Sequence, residues 1–205
     1  VTSIGESAFR GCTTIKEINV PDSVTQIVYG AFRDCTALTS VTLPNSLEAI
    51  DSTLFMNCTS LESIELPSSF VEIRWAAFQG CTSLQNIEIP SGVTEIAVDA
   101  FRDCINLKTV SIPVSVEYEH RSSFAGCSAL VYNEHDNGLY LGDSNHPYHA
   151  FISVKDNEST TCNIKAETAV IAGGAFSRSM ITQLQIPDGV LTVGNSAFSG
   201  CEFLT

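Results

Sequence analysis

The sequence is short of basic residues, of long apolar runs and of recognisable targeting segments. Its 205 residues include only 10 Lys and Arg against 23 Asp and Glu, which gives a formal net charge of −13. Nucleic-acid-binding proteins present basic faces, so this balance argues against a nucleic-acid partner. Charged or polar residues interrupt every apolar stretch well before the ~18 residues that a transmembrane helix needs, so no membrane span is expected. The opening residues Val1–Ser3 do not resemble a signal peptide.

Apolar residues and cysteines are, by contrast, plentiful. The residues AVILMFWYC make up 44 % of the chain, which is enough to pack a core and excludes intrinsic disorder. Eight cysteines could indicate disulfides, a metal site or neither, and their spacing has to decide.

The chain is dominated by an internal repeat of 23 residues that reads V-x-x-I-x-x-x-A-F-x-x-C-x-x-L-x-x-I-x-I-P. Identical intervals recur in the Phe, Cys and Pro positions, which leaves little room for chance. The Phe column consists of Phe9, Phe32, Phe55, Phe78, Phe101 and Phe124. The Cys column consists of Cys12, Cys35, Cys58, Cys81, Cys104 and Cys127.

Each part of the repeat predicts a local structure. The alternation in Ile87–Pro90 is typical of a half-buried strand that Pro terminates. The A-F-x-x-C segment is too short for a stable helix and predicts a tight turn that places Phe inside. A unit of ~23 residues cannot bury its own apolar side, but stacked coils can. We therefore expect residues 1–205 to form one solenoid of right-handed stacked coils, with a parallel β-sheet and short turns or 3-10 pieces.

The template is interrupted after residue 130. We expect regular repeats over 1–130, a small antiparallel β insertion over 131–159 that protrudes from the solenoid, and repeats again over 160–205. In the resumed repeats Cys162 falls at an inward strand position, Ser179 takes the Cys column and Cys201 rejoins it. Just before the insertion, residues 118–121 depart from the template, which indicates either a local bulge or a small polar pocket.

The motif Ala31-Phe32-x-x-Cys35-x-x-Leu38-x-x-Val41-x-Leu43-Pro44 and its copies resemble the BspA-like leucine-rich repeats of bacterial surface proteins. The insertion strengthens this resemblance through residues 136–142 and 146–148, where His146 replaces the family's Asn. The resemblance implies an extracellular or cell-surface location, often an adhesive role, and more repeats than are present here. Both ends fall within a repeat, which predicts a piece of a longer solenoid whose uncapped coils favour end-to-end self-association.

Little in the sequence indicates chemistry. Each Cys is alone in its coil and no C-x-x-C occurs, so we interpret the Cys column as reduced, buried thiols that act as weak donors to turn backbone. The histidines near the insertion could be drawn into a metal site, but turn-forming polar residues explain them equally well. No G-x-S-x-G, phosphate-binding glycine loop or H-E-x-x-H occurs. We therefore expect no enzyme activity, no cofactor and no metal.

The outward positions of the sheet are the main candidate binding face, although a merely solvated face would look the same. These positions are Glu17, Asn19, Ser40, Thr42, Ser63, Glu65, Asn86, Glu88, Thr109 and Ser111. Tyr132, Tyr140 and Tyr148 are candidate contacts on the insertion.

Three functions follow from these features. The first is a protein-interaction or adhesion module whose ligand is a protein or glycan, for example of the host matrix. The second is a structural spacer without binding of its own. The third is carbohydrate binding through the aromatic-rich insertion.

Overall fold

A computed structural model describes the backbone of all 205 residues and the side chains of all except Tyr118 and Glu119. The chain divides into two compact units. Unit 1 comprises residues 1–110 and 122–131, and unit 2 comprises residues 111–121 and 132–205. The expected leucine-rich repeat solenoid is confirmed: short parallel strands alternate with turns, and the described chain contains one helix, a 3-10 turn over Arg121–Phe124.

The strands of unit 1 are two or three residues long because each repeat provides only two short alternating stretches. They are β1 (Ser3–Ile4), β2 (Glu17–Asn19), β3 (Gln26–Ile27), β4 (Ser40–Thr42), β5 (Ala49–Ile50), β6 (Glu72–Ile73), β7 (Asn86–Glu88), β8 (Glu95–Ile96) and β9 (Thr109–Ser111), the last of which continues into unit 2.

Pairing in unit 1 joins equivalent residues of successive repeats. The register sets Ile18 opposite Val41 in the parallel pair β2–β4. It also aligns Ile50, Ile73 and Ile96 across β5, β6 and β8. Strands β1 and β3 pair in the same way, and β7 pairs with β9. This register keeps apolar residues inward in every coil, because a slip of one residue would turn them all to solvent.

The Phe column forms a continuous aromatic stack in unit 1. Consecutive rings from Phe9 to Phe124 lie 5.2–5.6 Å apart between centroids, with planes within 21° of each other. Each turn also bonds to the next coil: the Phe78 amide donates to the Ala100 carbonyl at 2.7 Å. The predicted tight turn that buries Phe is therefore confirmed.

The turns need left-handed backbone on both sides of Phe. Positive φ recurs two residues before it, as at Ala76 (53°), and two residues after it, as at Gly80 (73°). A Cβ at Gly80 would come within 2.5 Å of the Asn57 side chain in the preceding coil. The equivalent residues Asp34, Asn57 and Asp103 adopt the same positive φ of 59–61°, so this position of the coil takes glycine or an Asn or Asp residue that tolerates left-handed backbone.

The thiols of the Cys column are reduced and act as the sequence predicts. In five successive coils the Sγ donates to the carbonyl of the Phe 26 residues earlier, at 3.0–3.2 Å. These thiols are buried, whereas Cys12 is only partly covered. The column thus bonds one coil to the previous one without disulfides.

Five strands of unit 2 form a mixed sheet, and β10 (Tyr118–Glu119) does not belong to it. The five are β11 (Asn133–His135), β12 (Gly138–Leu141), β13 (Ala150–Val154), β14 (Val170–Ile171) and β15 (Thr192–Val193). The sheet order is β11-β12-β13-β14-β15, antiparallel up to β13 and parallel from β13 onward. The predicted antiparallel insertion is therefore present, but its last strand also belongs to the repeat sheet.

The expectation that the insertion protrudes is wrong. Tyr140 and Phe151 are fully buried, and the Phe151 ring stacks on Phe176 with 4.6 Å between centroids. Residue Phe176 in turn stacks on Phe198 at 5.0 Å. The hairpin packs inward because burial of its aromatic rings against the Phe176 coil removes apolar surface from water, which stabilises the fold.

The resumed repeats of unit 2 keep the expected columns. Residues Cys162 and Ser179 are buried, and the Cys201 thiol donates to the Phe176 carbonyl at 3.0 Å. Residues 118–121, where the sequence departs from the repeat template, include Tyr118 and Glu119. The side chains of these two residues lie outside the described part of the chain.

Candidate binding surface

The outward strand positions are solvent-exposed, as alternation along each strand predicts. Exposed members are Glu17, Asn19, Ser40, Thr42, Ser63, Glu65, Asn86, Glu88 and Thr109. The remaining candidate, Ser111, is half-buried and belongs to unit 2. We use the term sheet face for the nine exposed positions.

The chemistry of the sheet face is polar with an acidic bias. Thr109 donates to the side-chain oxygen of Asn86 at 2.7 Å. Glu65 and Glu88 form no ion pair within 4.0 Å among the described side chains. Hydroxyls, amides and unpaired carboxylates can accept hydrogen bonds from a ligand and favour a cationic one.

The ladder of the sheet face is interrupted at Ser63–Glu65. Strand β4 pairs only with β2, and β7 pairs only with β9. In the described chain no backbone hydrogen bond joins Ser63, Ile64 or Glu65 to either side, although the Gln85 amide still donates to the Glu62 carbonyl at 3.3 Å.

A cavity lies on each side of this interruption. The larger, about 610 Å³, lies between β4 and residues 63–68. The smaller, about 410 Å³, lies between residues 64–68 and Glu88–Ser91. Nothing in the sequence signals this feature, since Ile64-Glu65-Leu66-Pro67 follows the template.

The tyrosines of the insertion do not form a common surface. Tyr132 is half-buried, and Tyr148 is half-buried with the Lys165 ammonium 4.7 Å from its ring centroid. Tyr140 as a ligand contact is wrong: it is fully buried and meets Tyr148 edge-on at 5.3 Å. Its hydroxyl accepts from the Lys165 amide at 3.3 Å, so its polar atom serves the fold.

The histidines serve loops and core rather than one centre. The His146 ring lies 3.1 Å from the Asp143 carboxylate, which also accepts from the Asn145 and His146 amides. Although slight burial acts against it, these hydrogen bonds hold the pKa of Asp143 below its ordinary value. The buried His149 ring bonds to the Val116 carbonyl at 2.9 Å. Among the described residues, no three His, Cys, Asp or Glu side chains converge as metal ligands would.

Two of the buried thiols, Cys81 and Cys162, are poor nucleophiles. Burial raises the pKa of Cys81 and of Cys162, in each case to about 12, so both stay protonated at neutral pH.

Comparison with known proteins agrees with this geometry. The family profile described as BspA type leucine-rich repeat region matches six copies over residues 2–131 and 147–205. No curated protein matches the chain.

Three solved structures share the fold over the whole length of this chain. A leucine-rich repeat protein of Bacteroides ovatus is 28 % identical, with a TM-score of 0.67. A leucine-rich cell surface protein of Faecalibacterium prausnitzii is 32 % identical with a TM-score of 0.56, and a leucine-rich repeat protein of T. pallidum is 26 % identical with a TM-score of 0.63. The chain covers 57 %, 50 % and 72 % of these proteins respectively, so it spans little more than half the length of the first two.

No helix in the described chain has the length and apolarity to cross a membrane. The repeat columns, the stacked coils and the profile match over most of the chain lead to one conclusion: the chain belongs to the BspA-type leucine-rich repeat family.

Proposed function

We propose that this chain is a non-catalytic binding module of a secreted or cell-surface bacterial protein, and that it binds a protein ligand through the sheet face. The observation that carries the proposal is the row of exposed polar side chains on a rigid scaffold, with Glu65 and Glu88 left without a cation. A buried aromatic stack fixes the strands, so these side chains are presented without ordering a loop. The neighbour described as a cell surface protein supports the location.

The acidic balance supports a ligand with basic character. Ten basic residues against 23 acidic ones attract a cationic surface, and this attraction weakens as salt rises. Binding to a basic protein should therefore weaken markedly at high ionic strength, whereas a spacer would show no binding at any salt concentration.

A binding screen against immobilised matrix proteins and glycans tests the proposal. The variant S40R/T42R/E65R places three guanidinium groups on the sheet face, at positions that are all exposed. The matched control T13R/D22R/T36R makes the same change of net charge at exposed positions elsewhere in unit 1. We expect the first variant to lose binding and the control to keep most of it.

Two results would overturn the proposal. One is equal loss in both variants, which would mean attraction by net charge alone. The other is the absence of any protein ligand for the unmodified chain, which would favour the structural spacer. Deletion of residues 133–159 is not a usable test, because it removes the buried Tyr140 and Phe151.

A further inference from the structure

The interruption at Ser63–Glu65 differs from a simple end of a strand. Coils on both sides of it keep their ladders, so the sheet is open in the middle rather than at its edge. On the turn side the coils of Phe32 and Phe55 remain joined. The Phe32 amide donates to the Leu54 carbonyl at 3.1 Å, and the rings of Phe32 and Phe55 stack with 5.6 Å between centroids. Backbone hydrogen bonds therefore join the coils at the aromatic stack and are missing along the strands.

Backbone pairing in the other sheet of unit 1 is missing between the same two coils, although the Ser46 hydroxyl still donates to the Val24 carbonyl at 2.7 Å. Strand β3 pairs only with β1, and β5 begins a new set with β6 and β8. A cavity of about 390 Å³ lies there, between Thr25–Ile27 and Ser46–Ala49. Both sheets therefore lack backbone pairing at the junction between these two coils.

Backbone groups along the opening are available to a ligand. An unpaired strand offers a regular row of N–H and C=O groups, which is the pattern that an added strand recognises. The cavity of about 610 Å³ beside β4 falls in the range of ligand sites. Its walls carry Ser40, Thr42, Ser63 and the unpaired Glu65 carboxylate.

We propose that this opening is a docking groove for an extended, basic peptide segment of the protein ligand. The peptide backbone pairs with the free groups of β4 and Ser63–Glu65, and a Lys or Arg side chain of the peptide pairs with Glu65. The proposal rests on the proposed function, because it assigns the sheet face a partner and a position. Charge complementarity selects a basic peptide, since no cation lines the groove.

A labelled synthetic peptide of about eight residues, alternating Lys and Thr, is the probe, because alternate side chains of a strand face the same way. Fluorescence anisotropy measures its binding to the unmodified chain and to two variants. In the variant E65Q the carboxylate of the groove is removed, and affinity should fall about tenfold. The control E6Q removes an exposed carboxylate of unit 1 that lies outside the sheet face, and affinity should change less than about twofold.

A backbone-methylated version of the same peptide separates strand pairing from charge attraction. It keeps every Lys but lacks alternate N–H donors, so its binding should be about tenfold weaker. Amide hydrogen exchange at Ser63–Glu65 should slow when the unmethylated peptide is added. Equal affinity of the two peptides, equal effects of E65Q and E6Q, or no binding of either peptide would overturn the groove.

The failure of this inference is distinguishable from failure of the proposed function. If a matrix protein binds the sheet face while the peptide does not bind, only the groove is wrong. If the peptide binds as described and no matrix protein binds, the groove stands and the assignment to a matrix ligand falls.

Discussion

The two units build the same aromatic stack from different sequence material. In unit 1 every ring comes from the Phe column at the 23-residue interval, whereas in unit 2 the stack starts at Phe151, which lies in a strand of the antiparallel hairpin. Both stacks keep centroid distances between 4.6 and 5.6 Å. In both units the Phe of a coil packs against an aromatic side chain of its neighbour, and the repeat template is one of two ways in which this chain supplies it.

Substituting one ring from each stack gives the largest expected effect. Phe78→Ala in unit 1 and Phe151→Ala in unit 2 each remove a fully buried ring and should lower the free energy of unfolding by about 3–5 kcal/mol. Urea denaturation measures both values. Phe203→Ala, at a position 53 % exposed, is the control and should cost less than about 1 kcal/mol. A cost for Phe151→Ala as small as that of the control would mean that the hairpin is not part of the core.

The next effect is the pH dependence that a buried phenol of unit 2 contributes to stability. Burial raises the pKa of Tyr140 to about 12 in unit 2. The phenol of the unfolded chain ionises near pH 10, so its contribution to stability is complete below about pH 10 and is lost as pH rises towards 12. Stability of the unmodified chain should therefore fall through this range, and Cys81 and Cys162 should add to the fall because their pKa values are raised in the same sense.

Tyr140→Phe isolates the contribution of the phenol. Stability of this variant should decline less steeply between about pH 10 and 12, as followed by thermal unfolding at each pH. Tyr29→Phe, at an exposed position of unit 1, should leave the decline unchanged. Identical slopes for all three proteins would show that the Tyr140 environment does not favour the neutral phenol.

The third effect concerns how the hairpin of unit 2 is closed. The Asn137 side chain donates to the Asp156 carbonyl and accepts from the Asp156 amide, both at 2.9 Å, a bridge with no counterpart in the repeat template. Asn137→Ala should cost about 1–3 kcal/mol by loss of two hydrogen bonds, measured by urea denaturation. Asn145→Ala, at an exposed position, is the control. If Asn137→Ala lowers the free energy of unfolding no more than this control does, the bridge does not stabilise the hairpin.

The contrast between the units also explains what the sequence could predict. Unit 1 repeats its Phe and Cys residues and its apolar strand positions at a constant interval, so the strands, the inward Phe and the thiol donors could all be predicted. Unit 2 could be predicted only in part, because the inward direction of Tyr140 and Phe151 depends on which surface the hairpin finds to cover. A signal was present: Ala150-Phe151 repeats the Ala-Phe pair of the template within the insertion.

The candidate surface shows the same limit. Alternation along the strands predicted which side chains point outward, and nine of the ten are exposed. The opening at Ser63–Glu65 could not be predicted, because ladder pairing depends on the separation of two coils and the local sequence there matches the template.

The smallest effect compares the Cys column with its one hydroxyl member. The Phe55 carbonyl accepts from the Cys81 thiol at 3.2 Å and also from the Cys58 amide at 3.0 Å, so removal of the thiol leaves it bonded. Cys81→Ala should therefore cost only about 1 kcal/mol, and Cys81→Ser should cost less, because Ser179 is buried in this column of unit 2. Thermal unfolding of the two variants measures whether Cys81→Ser is more stable than Cys81→Ala. If Ser is as costly as Ala, the thiol contributes packing volume alone, and the column is a row of small apolar groups rather than of donors.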